Sequence, residues 1–168
     1  MALAASSLCA PAAAAVHYEI FNGVAWTQNG TTTFIGPSTS TVAGIPISCS
    51  NTTITIDVAG GTAHVQGISF SGSTACSWIT GQTLPWPMSP PMVASFGGAE
   101  ATVYSFSLKY TQPPATCTGK MTIKFGNVNP YIPPNPSTLT FTSVVGVPCT
   151  NFKSTGTFYA TKPLRIMP

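Results

Sequence analysis

Residues Thr53 to Val58 alternate without a break, with Ile54, Ile56 and Val58 on one side and Thr53, Thr55 and Asp57 on the other. Successive side chains of a strand point to opposite faces, so this pattern describes a strand with one buried face. Gly60-Gly61 follows at once and supplies the positive φ angles of a tight hairpin, after which Ala63 to Phe70 runs back. Within that return the apolar phase changes between Val65 and the pair Ile68 and Phe70, across Gly67. One extra residue resets a period of two, which makes Gly67 the expected bulge.

Nothing in the chain competes with this signal. Apolar residues at helical spacing are not sustained outside the first 15 residues, and Thr, Gly and Pro dominate throughout. Tyr18 to Phe21, Val24 to Trp26 and Thr31 to Ile35 read as N-terminal strands, and Gly36 to Pro46 as a connection or a weak edge. Thr102 to Tyr110 is a clear strand, with Tyr104, Phe106, Leu108 and Tyr110 expected on one face. Four prolines between Leu84 and Pro91 predict an extended loop without regular pairing. Thr157 to Ala160 and Leu164 to Met167 close the chain as strands. The expected fold is all-β, an antiparallel sandwich or barrel-like domain of roughly eight to ten short strands.

Cysteine spacing adds a second constraint. Cys49, Cys76, Cys117 and Cys149 form an even set, and the segments that follow Cys49 and Cys117 echo each other, Ile54, Ile56 and Val58 in one and Met121, Ile123 and Phe125 in the other. Each interval reads as a hairpin closed by a cystine, so Cys49 is expected to pair with Cys76 and Cys117 with Cys149. Each bond would add about 3 kcal/mol in the loop-entropy account. The units differ in their connection, Gly60-Gly61 in the first and the proline-rich Asn127 to Pro136 in the second. Metal binding is the rival use of the cysteines, but no C-x-x-C pair exists and His17 and His64 lie far from all four in sequence. No metal or cofactor is expected.

Residues 1–15, MALAASSLCAPAAAA, read as the apolar core and small-residue end of a secretory signal, leaving 16–168 as one domain. The basic start of such a signal is missing, as a late start codon or a truncated sequence would give. No 18-residue apolar run is present, which argues against a transmembrane helix. Secretion to the extracellular space or the cell surface is the expected destination, and it suits disulfides.

Only 5% of residues are charged, against about 25% in ordinary domains. The 17 Ser and 25 Thr must take the place of charges over much of the surface. With a net charge of +3, such a surface is weakly hydrated and poorly protected from association, so contact with apolar surfaces or with copies of itself is expected. The six cations form no adjacent run, which excludes the clustered phosphate contacts of a nucleic-acid binder.

Catalytic groups are scarce. Glu19, Asp57 and Glu100 are the only carboxylates, and their positions do not suggest a pair facing one cleft. Asp57 and His64 straddle the Gly60-Gly61 turn and could orient an imidazole toward a serine such as Ser69, but no nucleophile elbow is present. The bland alternative is a solvent-facing pair. Trp78, Leu84, Trp86 and Met88 are the candidates for apolar contact, because tryptophan beside proline in a loop can present a large apolar face. The alternative is that both tryptophans cap the core and cover the neighbouring disulfide.

The run from Gly67 to Cys76, GISFSGSTAC, followed by Leu84-Pro85-Trp86, resembles the PraB family, the bacterial proteins called protein activator of alkane oxidation. In that family a Thr- and Ser-rich strand region precedes a cysteine, an F-x-G-x-x-x-C element and an LPW turn, matched here by Thr31 to Phe34, Cys49, Phe70 to Cys76 and Leu84 to Trp86. The resemblance spans roughly residues 31–160, and the 127–136 insertion departs from it. It implies a secreted, non-enzymatic, surface-active protein of Gram-negative bacteria that assists the use of long-chain alkanes, with no catalytic residues to carry over. A second reading is a subunit of an extracellular filament or biofilm matrix, joined by strand addition through His17 to Trp26 or Leu164 to Met167.

Overall fold

A computed structural model describes residues 15–95 and 97–168. Residues 1–14, which carry nearly all of the expected signal segment and Cys9, lie outside the described residues. In chain order the strands are β1 (His17–Phe21), β2 (Trp26–Thr27), β3 (Gly30–Val42), β4 (Ile45–Ala59), β5 (Thr62–Ser71), β6 (Ile79–Gly81), β7 (Trp86–Pro87) and β8 (Met92–Ser95). They continue with β9 (Gly98–Thr111), β10 (Pro114–Gly126), β11 (Thr138–Val145), β12 (Cys149–Ser154), β13 (Phe158–Ala160) and β14 (Leu164–Met167), and a 3₁₀ turn spans Thr74–Trp78.

The large antiparallel sheet runs in the order β6, β9, β10, β11, β12, β3, β4, β5, β7, with β13 joining β11 to β3 and β8 flanking β9. It closes on itself. Val65 pairs with Trp86 across β5 and β7, and the next residue but one, Met88, bridges to Val103 of β9. The Met88 N–H donates to Ala63 O at 3.1 Å and the Ser89 N–H to Thr102 O at 2.8 Å, so the seam is hydrogen-bonded to both flanking strands. Closure removes the exposed sheet edges that would otherwise pair with other chains.

The interior is filled rather than hollow. A chain of rings crosses it from the seam, Trp86 to Phe106 at 5.2 Å, Phe106 to Phe152 at 5.3 Å, Phe152 to Phe141 at 4.7 Å and Phe141 to Phe158 at 5.5 Å. Each ring pair contributes about 0.5–1.5 kcal/mol beyond its buried area. Gly36 lies under Phe158, where an added Cβ would come within 2.5 Å of the ring.

Several expectations hold. The hairpin turns at Gly60 and Gly61 with φ of 57° and 77°. The register of β4 and β5 slips where Thr55 faces Gly67 and Ile56 faces Val65, which leaves Gln66 as the extra residue beside Gly67. Both disulfides join the expected partners, Cys49 with Cys76 and Cys117 with Cys149.

Others are corrected. The segment expected as a connection or a weak edge from Gly36 to Pro46 is well-paired strand on both sides of a turn at Ala43 and Gly44, so β3 and β4 reach 13 and 15 residues. Pro37 falls in a register shift between Gly36 and Ser38, where a missing N–H leaves no ladder position empty. Buried hydroxyls in this stretch are accommodated where they meet a partner, as Ser38 Oγ does with Thr52 Oγ1 at 2.6 Å. The proline-rich loop at 84–91 does pair, through Trp86 and Pro87. Tyr104 is not on the face of Phe106. It is 42% exposed while Val103 is fully buried, because two residues of β9, Tyr104 and Ser105, face only Lys120 of β10. That bulge resets the phase, as Gly67 does in β5.

Strands β14, β1 and β2 form a separate three-stranded antiparallel sheet. Tyr18, Ile20, Leu164 and Ile166 are its buried residues. This sheet lies over the end of the barrel that carries the β4–β5 turn, where the Tyr18 N–H donates to Gly61 O at 2.9 Å. The other end carries both disulfides and the β3–β4, β9–β10 and β11–β12 turns.

Candidate functional site

The cap has two faces because its strands alternate. With Tyr18, Ile20, Leu164 and Ile166 committed to the barrel, the residues between them are turned away from it. Glu19 pairs with Arg165 in the β1–β14 register, and Phe21 pairs with Trp26 in the β1–β2 register. Arg165 Nε donates to Glu19 Oε2 at 2.6 Å, and the guanidinium lies over the Trp26 ring at 4.5 Å from its centroid. Phe21 meets Trp26 at 5.5 Å.

The proline-rich segment 127–136 supplies the opposite wall. One side chain organises it: Asn127 Nδ2 donates to Asn135 O at 2.7 Å and to Ile132 O at 3.1 Å, while Asn127 Oδ1 accepts from the Ile132 N–H at 2.9 Å. Backbone bonds tie the segment to the cap and the barrel, with the Ile166 N–H donating to Val128 O at 2.9 Å and the Val128 N–H to Gly97 O at 3.0 Å. Tyr131 is thereby set edge-on to Trp26 at 5.4 Å.

Between sheet and loop lies an open cleft of about 610 Å³, walled chiefly by Phe21, Trp26, Pro130, Tyr131, Pro133 and Met167. Arg165 is the single charged side chain in its lining. This size falls in the range of roughly 300–1,000 Å³ usual for small-molecule sites. Prolines and aromatic rings hold few rotamers, so the walls lose little entropy when something apolar settles between them. A second, smaller recess of about 390 Å³ lies between Tyr18 and the 88–92 stretch. The buried Tyr18 hydroxyl, whose phenol burial pushes well above its ordinary range, donates to Ser89 O at 3.2 Å beside it.

The four residues expected to make apolar contacts are placed elsewhere. Trp86 is fully buried, its indole N–H donating to Gln82 O at 2.7 Å, and Met88 is buried in the same seam. Trp78 and Leu84 are half-buried and pack on the core. Of the two readings of Trp86, core plug and exposed contact, the folded chain adopts the first: the ring closes the barrel between β5 and β9 and offers no face to a partner.

Asp57 and His64 are cross-strand neighbours, with His64 Nε2 at 3.3 Å from Asp57 Oδ2 and the Thr31 hydroxyl donating to Asp57 Oδ1 at 2.9 Å. Ser69 faces Thr53, four residues from Asp57 along β4 and so about 13 Å away at ~3.3 Å per residue. These three side chains do not come together. The two terminal segments considered as spare strands are paired with each other, since β1 and β14 align over four residues. Strand addition through either would first have to part them.

Sequence reasoning passed over Phe21, Trp26, Tyr131 and Arg165, which are spread over 145 positions. One signal was present: the insertion that breaks the resemblance between the two cystine units carries Tyr131 and four of its prolines in a short run.

A family model described as "Alkane oxidation protein activator PraA/PraB-like" matches residues 1–168. No curated protein and no solved structure matches the chain. Among the described residues no helix is long and apolar enough to cross a membrane.

Proposed function

The chain belongs to the alkane oxidation protein activator PraA/PraB-like family, and on that premise we propose that it is a secreted, non-enzymatic, surface-active protein that assists hydrocarbon uptake by touching the apolar phase. The observation that carries this reading is the open, aromatic- and proline-walled cleft between the cap sheet and the 127–136 loop. Two further features support it. Glu19, Asp57 and Glu100 each have a basic side chain beside them, Arg165, His64 and Lys124, so none of these carboxylates faces the apolar phase without a partner. Met92, at 65% exposure, and Val93, at 49%, add apolar surface on β8, at the same end of the barrel.

The contact is made from the cap end, with the filled barrel acting as a rigid, hydroxyl-coated float. Such a protein adsorbs at a hexadecane–water interface and lowers its tension. An interfacial tension equal to that of buffer, at protein concentrations where the fold is intact by circular dichroism, would overturn the reading.

A further inference from the structure

The cleft is mostly apolar, and the one charged side chain in its lining is chemically specific. Arg165 is held from two sides: its Nε is bonded to Glu19 and its plane lies over Trp26. Among the described residues neither of its Nη atoms has an acceptor. A guanidinium whose Nε edge is fixed keeps an Nη donor pair in a set direction, the geometry that takes a carboxylate through two parallel hydrogen bonds. Around it the walls contributed by Phe21, Tyr131, Pro130, Pro133 and Met167 offer aliphatic and aromatic surface and no second charged side chain.

We propose that the cleft binds a single long aliphatic chain ending in a carboxylate, the chain lying between the cap sheet and the 127–136 loop and the head group on the Nη pair of Arg165. This rests on the reading of the protein as one that meets hydrocarbon, and it sharpens that reading. Terminal oxidation of an alkane is the class of reaction that yields such a ligand. The protein would then hold the oxidised, amphiphilic product rather than the hydrocarbon itself. Glu19 acts as a positioning residue, since it touches the guanidinium and not the ligand.

The chemistry predicts an order of affinity. Dodecanoate binds more tightly than 1-dodecanol, and 1-dodecanol more tightly than dodecane, when each is titrated below its aggregation limit and followed by tryptophan fluorescence and calorimetry. Each methylene removed from the carboxylate weakens binding roughly fourfold. Arg165→Lys keeps the charge and an ion pair with Glu19 but loses the fork, and it weakens dodecanoate about tenfold while leaving 1-dodecanol almost unchanged. Tyr131→Ala shortens the apolar wall and weakens both ligands alike, which separates the head-group effect from general damage to the cleft.

Equal affinity for dodecanoate and 1-dodecanol in the unmodified protein, or an Arg165→Lys variant with unchanged dodecanoate binding and an intact fold, would overturn the proposal. Interfacial tension of the unliganded protein keeps the two ideas apart. A protein that lowers the tension but does not prefer dodecanoate retains the general function and loses the carboxylate site. One that binds dodecanoate but leaves the tension unchanged retains the site and loses the interfacial role.

Discussion

The two ends of the barrel are held by different means. At one end the cystines Cys49–Cys76 and Cys117–Cys149 tie β4 to the 3₁₀ turn and β10 to β12. At the other, the cap sheet and the 127–136 loop are held among the described residues by packing and hydrogen bonds: Asn127 inside the loop, Ser137 Oγ to Leu164 O at 2.7 Å, and Arg165 to Glu19. Covalent closure suits an end that only has to stay shut. A cleft that admits a ligand is better built from non-covalent contacts, which can yield locally without unfolding the barrel. Both ends expose apolar residues, Val144 and Val147 beside the cystines and Met92 and Ile132 toward the cap, but the described large cleft lies at the cap.

The largest expected effect is at the bonded end. Replacing Cys49 and Cys76 together by alanine lowers global stability by about 3 kcal/mol. Urea titration reads the loss, and dodecanoate affinity of the remaining folded protein stays within about twofold, because the cleft is at the other end. A large affinity loss in this variant would erase the distinction between the ends.

A smaller and more local effect follows from Asn127→Ala. The loop loses the side chain that joins Ile132 and Asn135, a cost of about 1–2 kcal/mol. Amide exchange quickens in 127–136 and in β14, while the cystine-linked strands keep their protection. Uniform loss of protection over the whole barrel would show that the cap is not a separate unit.

The smallest effects distinguish two buried phenols. Tyr18 at the cap donates to Ser89 O. Tyr110, on the cystine half of β9, is pushed up by burial, an effect that the Ser40 hydroxyl partly offsets, yet neither hydroxyl makes a hydrogen bond of good geometry. Tyr18→Phe therefore costs about 1 kcal/mol, and Tyr110→Phe is neutral or stabilising. Both phenols have folded-state pKa values raised above the unfolded value near 10. The unfolded chain releases these protons first, so stability is intact below pH 10 and falls as the pH rises above it. Either Phe variant flattens that fall in urea titrations from pH 9 to 11.

Much of the barrel could be read from local pattern, because strand alternation and glycine turns act over a few residues. The Gly60-Gly61 hairpin and the Gly67 bulge are of this kind, and both cystine pairings were legible from the spacing of the cysteines around the strand units. What escaped was set by distant partners. Tyr104 lies on the wrong face in a local reading because Lys120, in the facing strand, sets the bulge. Trp86 among its prolines was open between core plug and exposed contact, and only the closing of β5 onto β9, which needs a large side chain to fill the seam, decides for the plug. The cleft was the least legible, since β1, β2, β14 and the 127–136 loop meet only when the chain's two ends pair.

The central claim is that the cap end makes the apolar contact. Hydrogen–deuterium exchange of the protein adsorbed on hexadecane droplets, compared with the protein free in solution, tests it directly. New protection is expected in β1, β2, β14 and residues 127–136, with little change around Val144 and Val147. Protection that instead appears in the β11–β12 turn and leaves the cap unchanged would contradict the account.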